Sequence, residues 1–154
     1  MKEIVNRLAA NKDAAVAVLA KMADVRTKQL EAFILVAAGQ REEALRVLQA
    51  AAEIEDAPGV NLAPPDSGSA LPSREMLGEL LIEMQRPQEA IREFEAALRR
   101  APGRLRSLDG LARAAVLSGD RAAAEARYQA LLKLLSDADP DLPQINQARQ
   151  YLRR

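Results

Sequence analysis

The chain has 154 residues, of which 49% are hydrophobic, 22 are basic and 22 acidic; it contains neither cysteine nor histidine. That length allows one domain with a sizeable core, and the missing residue types exclude disulfides, thiolate chemistry, cysteine-based zinc sites and the commonest general base. A formal net charge of zero leaves no overall field to draw the chain onto nucleic acid or an anionic membrane.

Two Phe, two Tyr and no Trp must share an interior with many Ala and Leu. Small and aliphatic residues let helices approach closely, which favours helix on helix over a sandwich built from aromatic and β-branched strands, so the fold class is all-α. No stretch reaches the roughly 18 consecutive apolar residues of a membrane span, and Met1–Ala10 lacks the basic-then-apolar run of a signal peptide. With Met1 as the native start the expected location is the cytoplasm; if upstream residues were removed, export stays open.

In chain order, Ile4–Ala10 and Ala14–Val25 read as a short helical pair turning at Asn11-Lys12-Asp13, a helical cap or partial repeat over 1–24. Residues 25–58 form the next pair, with Gly39 at the turn and Ala44, Leu48 and Ala51 in its second helix at the same offsets as Ala90, Phe94 and Ala97 further on. Its first helix follows the pattern less closely, since Glu31 and Lys28 stand where large apolar residues are expected. Gly59–Ala70, with Pro64-Pro65 and Asp66-Ser67-Gly68-Ser69, resists helix and strand alike and reads as a loop insertion. It is either a tolerated excursion or one wall of a working face.

Residues 71–104 read as two helices broken near Gln85–Pro87, with Pro suited to the first turn of the second. Residues 105–138 repeat the arrangement around Ser118-Gly119-Asp120, where Gly suits a helix C-terminus and Asp the next N-cap. Asp139-Pro140-Asp141 stops that pair, and over 139–154 a last helix, Leu142–Leu152, carries Gln144, Asn146, Gln147, Arg149 and Gln150 as a polar cap.

The pairs share a register. Leu77-Gly78, Leu81, Ala90, Phe94 and Ala97 return 34 residues later as Leu111-Ala112, Ala115, Ala124, Tyr128 and Leu131. On these residues the stretch from Val25 to Ser136 resembles a tetratricopeptide array of three units, and Glu55–Glu79 is similar to a widespread group of bacterial repeat proteins. The resemblance implies a right-handed α-solenoid of antiparallel helix pairs, a single domain over 1–154 with a helical cap in front and a capping helix behind.

It also implies a non-catalytic scaffold that binds a peptide or helix of a partner protein in a concave groove lined by first helices. In this register the groove carries Arg26, Gln29, Phe33 and Val36; Glu75, Glu79, Ile82 and Glu83; and Arg106, Asp109, Arg113, Val116 and Leu117. The Lys and Asn that some members use to grip a terminal carboxylate are replaced here by residues such as Gln29, Phe33, Glu75 and Glu79. An alternative reading makes the chain a structural or self-associating subunit, the acidic middle repeat meeting the basic segment that follows it.

Chemistry is sparse. Glu75, Glu79 and Glu83 lie four apart on one helix, the pattern of a solvated stripe. The serines of the insertion lack a nucleophile elbow and a histidine, and no phosphate-binding glycine loop occurs. No cofactor or metal is expected: Glu53, Glu55, Asp56 and Asp66 have oxygen ligands for a hard cation but not the spacing of a calcium loop. The arginines from Arg99 to Arg121 lack the interleaved aromatics of a nucleic-acid surface, so no nucleic-acid partner is expected.

Overall fold

The computed structural model describes Glu3 and residues 14–57 and 71–153. The expected helix Ile4–Ala10, its turn and the insertion Gly59–Ala70 lie outside the described residues. Among the described residues there are seven helices and no strand: α1 (Ala14–Ala37), α2 (Arg41–Asp56), α3 (Ser73–Glu83), α4 (Pro87–Arg100), α5 (Leu105–Leu117), α6 (Arg121–Leu134) and α7 (Pro143–Leu152). The chain divides into two compact units, 1–77 and 78–154, with the boundary inside α3.

In the first unit α1 and α2 pack as a hairpin. The second helix of the cap and the first helix of the following pair are one uninterrupted helix of 24 residues. The reason is local: from Ala14 to Ala37 there is neither Gly nor Pro, and Lys28 is tied to Asp24 one turn earlier by an ion pair of 3.4 Å. The helix stops where the backbone turns left-handed at Gly39 (φ 78°), whose N–H donates to Val36 while Gln40 donates to Leu35. Val25, Ala32, Ala44, Leu48, Ala51 and Ala52 are buried between the helices; the small residues set the close approach.

The same turn recurs at the same register position, 46 and 80 residues on. Gly119 has φ 78°, and Gln85 has φ 58°, an αL conformation that costs a residue with a Cβ about 1 kcal/mol. Pro87 then opens α4 where its lacking N–H has no intrahelical acceptor. Asp120 caps α6, its carboxylate accepting from the Ala123 N–H at 2.9 Å.

In the second unit α5 packs on α4, α6 on α5 and α7 on α6. Phe94, with no exposed surface, is wedged between two glycines: a Cβ on Gly78 would stand 2.6 Å from its ring and one on Gly110 2.4 Å. Both helices can approach the ring only because neither carries a side chain there. Its counterpart Tyr128 anchors the last cluster with Ala112, Leu131 and Ala148, stacks obliquely on Tyr151 at 5.0 Å, and accepts from the Gln147 amide at 3.0 Å. Helix α7 turns Ile145 and Ala148 inward and leaves Asn146, Gln147, Arg149 and Gln150 in solvent.

Candidate groove surfaces and their polar anchors

The fifth position of each 34-residue repeat holds Gln29, Glu75 and Asp109, and all three are buried although all are polar (5%, 0% and 7% exposed). Two positions earlier, Ser73 and Ser107 are buried without remainder. Polar groups at such depth must be paired to be tolerated, and each unit solves that requirement differently.

In the first unit the Gln29 amide donates to the Ser73 hydroxyl (2.9 Å), the Leu71 carbonyl (3.0 Å) and the Glu55 carboxylate (3.4 Å). The other Glu55 oxygen accepts from the Ser73 N–H at 2.9 Å, at the first turn of α3 where N–H groups have no intrahelical acceptor. Arg74 and Asp56 close the outer side with an ion pair. These bonds fasten the chain that leaves the insertion onto α1 and α2.

In the second unit Arg113 on α5 donates to Asp109 one turn earlier (2.9 Å) and to Glu79 on α3 (2.5 Å). Glu79 and Arg113 occupy the same position of successive repeats, so neighbouring first helices set them side by side. Burial raises the Asp109 carboxyl above its ordinary value, and the Arg113 charge and hydrogen bond only partly offset it. Burial pulls Arg113 down, but the bonds and charges of Glu79 and Asp109 outweigh it and hold the guanidinium above its usual value. Asp109 Oδ1 is buried and has no hydrogen-bond partner among the described residues. Burial also raises the Tyr128 hydroxyl, against the bond from Gln147, and the Asp109 charge adds to the effect.

The residues assigned to the groove therefore separate by depth. Gln29 and Glu75 are interior anchors, and Asp109 is nearly so. Arg26, Val36, Glu79, Ile82, Arg113 and Leu117 are half-buried, whereas Phe33, Glu83, Arg106 and Val116 are exposed. The acidic stripe on α3 is not solvated as its spacing suggests: Glu75 is enclosed, Glu79 is held by Arg113, and only Glu83 faces water. The anchors Glu55 and Ser73 escape a reading of the first helices because their partners lie 26 and 44 residues from Gln29. The Glu79–Arg113 bond had a signal, opposite charges exactly one repeat apart.

Among the described residues no group of three or more acidic side chains could hold a metal ion, and no helix is long and apolar enough to cross a membrane. Helical hairpins with a common register, small residues at the crossings and buried polar anchors define a tetratricopeptide-like helical repeat protein. The chain belongs to the bacterial transcriptional activator domain family, whose model matches residues 67–148, more than half of the sequence. It shares its fold with PcrH from Pseudomonas aeruginosa, at 14% identity over 84% of this chain and 89% of that one with a TM-score of 0.63, a likeness of fold alone. No curated protein matches the chain in sequence.

Proposed function

We propose that the chain is a non-catalytic protein-interaction module that receives a peptide or helix of a partner protein on the outer strip of its first helices. One observation carries the reading: seven of the 13 residues of α5 are buried, and Arg106, Arg113, Val116 and Leu117 keep surface in solvent. The helix thus presents one mixed strip, with an apolar Val116 that is 40% exposed and the exposed guanidinium of Arg106 beside it in the register. The Asp109–Arg113–Glu79 bonds hold the strip rigid, which lowers the entropic cost of binding. On α3, Ile82 and Glu83 extend the same register, and on α1 the equivalents are Arg26, Phe33 and Val36.

The description of the family supports looking for the partner among proteins of bacterial transcription. A partner segment with an apolar residue for Val116 and an acidic one for Arg106 fits the strip. The test is capture of interacting proteins from the source organism by the wild-type chain and by Arg106→Glu with Val116→Asp, both exposed positions. A partner held by the wild type and lost by the double variant, with the helical circular dichroism unchanged, supports the reading. Equal capture by both would move the binding surface elsewhere.

A further inference from the structure

Phe94 has no exposed surface, and the outer edge of its ring meets two backbones at once. The carbons Cζ, Cε1 and Cε2 are the three atoms nearest to a Cβ built on Gly78 of α3, and the same three are nearest to one built on Gly110 of α5, all under 3.0 Å. The ring cannot back away from one helix without striking the other, so it stands between α3 and α5 as a spacer of fixed width. Glu79 follows Gly78 in the chain, and Arg113 lies about one turn after Gly110. The two ends of the Glu79–Arg113 bond therefore grow from the backbone that the ring holds apart.

That bond tolerates little movement. A guanidinium donates in fixed directions, and Arg113 Nη2 reaches Glu79 while Nε is committed to Asp109 at 2.9 Å. Held on its own helix by Asp109, the guanidinium is not free to follow Glu79 when α3 shifts. The next crossing is built differently. Gln147 on α7 holds the repeat position of Arg113, yet it donates to the hydroxyl of the ring itself, Tyr128, at 3.0 Å. There the ring and the polar contact are joined. Between α3 and α5 they are separate, because Phe94 has no hydroxyl, and only the spacing of the helices relates one to the other.

We infer that Phe94 is a positioning residue for the strip on α3 and α5: by setting the distance between the two helices it aligns Arg113 with Glu79 and fixes the placement of Ile82 relative to Val116. The consequence for binding rests on the reading of that strip as the partner surface; the spacing does not. A side chain that no partner can touch then governs what the strip holds. Leucine at position 94 lacks Cζ, Cε1 and Cε2, so α3 and α5 shift toward the gap and the bond between them is lost.

The atoms missing in Phe94→Leu are the ones that a methyl on either glycine would strike, so compensation tests the inference. Gly110→Ala in the wild-type background should lower the urea midpoint, although alanine is the better helix former. In the Phe94→Leu background it should raise the midpoint, and Gly78→Ala together with Gly110→Ala should return most of what the leucine lost. The measurement that a merely structural residue would not move is the Glu79→Gln, Arg113→Met cycle. Its coupling, about two- to fivefold in the unfolding constant of the wild type, should fall to about one in Phe94→Leu and return in the compensated variant. Tyr128→Leu, which removes the equivalent ring at the next crossing, should also destabilise the chain but leave that coupling unchanged.

Gly110→Ala shifting the midpoint alike in both backgrounds, or a coupling that survives Phe94→Leu, would overturn the inference. Should Phe94→Leu fail to fold, the compensated variant carries the cycle, and absence of coupling there overturns it equally. None of these measurements uses a partner, so they stand even if the strip is not the binding surface. Conversely, a partner released by Arg106→Glu with Val116→Asp but held as tightly by Phe94→Leu as by the wild type keeps the surface and removes Phe94 from its control.

Discussion

Gln29 in the first unit and Asp109 in the second hold the same repeat position in opposite ways. In the first, Gln29 is neutral, three acceptors surround its amide, and the Glu55 carboxylate that it touches also takes the Ser73 N–H. In the second, Asp109 is a carboxylate with one oxygen on Arg113 and the other without a partner among the described residues. The lesson is that a fully paired neutral anchor only fastens, whereas a carboxylate buried with partial compensation also responds to its surroundings.

Breaking the first anchor should cost most. Glu55→Ala removes the acceptor of a helix-terminal N–H and one acceptor of a buried amide, each expensive to leave unmet; a loss of about 3 kcal/mol in urea unfolding is expected. Glu55→Gln, which keeps an acceptor for Ser73, should recover at least half of it. A loss below 0.5 kcal/mol for the alanine variant would mean that the bonds do not fasten α3.

In the second unit Arg113→Met leaves Glu79 facing an apolar stem and Asp109 without its cation. A smaller loss of ~1–2 kcal/mol is expected, because the ion pair is partly open to water. The Glu79→Gln, Arg113→Met double-mutant cycle should return a coupling below that figure.

Asp109→Asn sharpens the contrast through pH. The folded carboxyl titrates above its ordinary value of 3.8, so the native state binds that proton more tightly than the unfolded chain does. Its contribution to stability is complete below the ordinary carboxylate range and is lost as pH rises through the raised folded value. The stability of Asp109→Asn relative to wild type should therefore increase with pH across that window and level off above it. A flat difference from pH 3 to 7 would show that the folded carboxyl is not raised. The smallest effect is expected at Arg106→Glu, an exposed site, whose unfolding free energy should stay within about 0.5 kcal/mol of wild type.

Much of the architecture was legible because it rests on volume and turn chemistry. Ala90, Phe94 and Ala97 repeat with their period and are buried as that period requires, and Gly39 and Gly119 mark turns that only a left-handed backbone can make. Less legible was α1, where a repeat boundary placed at Val25 suggested two helices; continuity depended on the absence of a breaker. The polar anchors were least legible. Glu75 and Glu83 are the same residue at helical spacing, and only tertiary neighbours make one interior and the other solvated. Exposed carboxylates outnumber enclosed ones on most helices, so spacing alone favours the wrong reading for Glu75.

The bond between Glu79 and Arg113 also restricts how such an array can grow. The two residues hold one position in consecutive repeats, so a gene duplication that copied residues 71–104 in tandem would set glutamate beside glutamate, and one that copied 105–138 would set arginine beside arginine. Either insertion replaces attraction by like-charge repulsion at a half-buried site. The pair thus works as an address, specifying which repeat follows which, and a designer lengthening the array would need to alternate the two signs to keep the order.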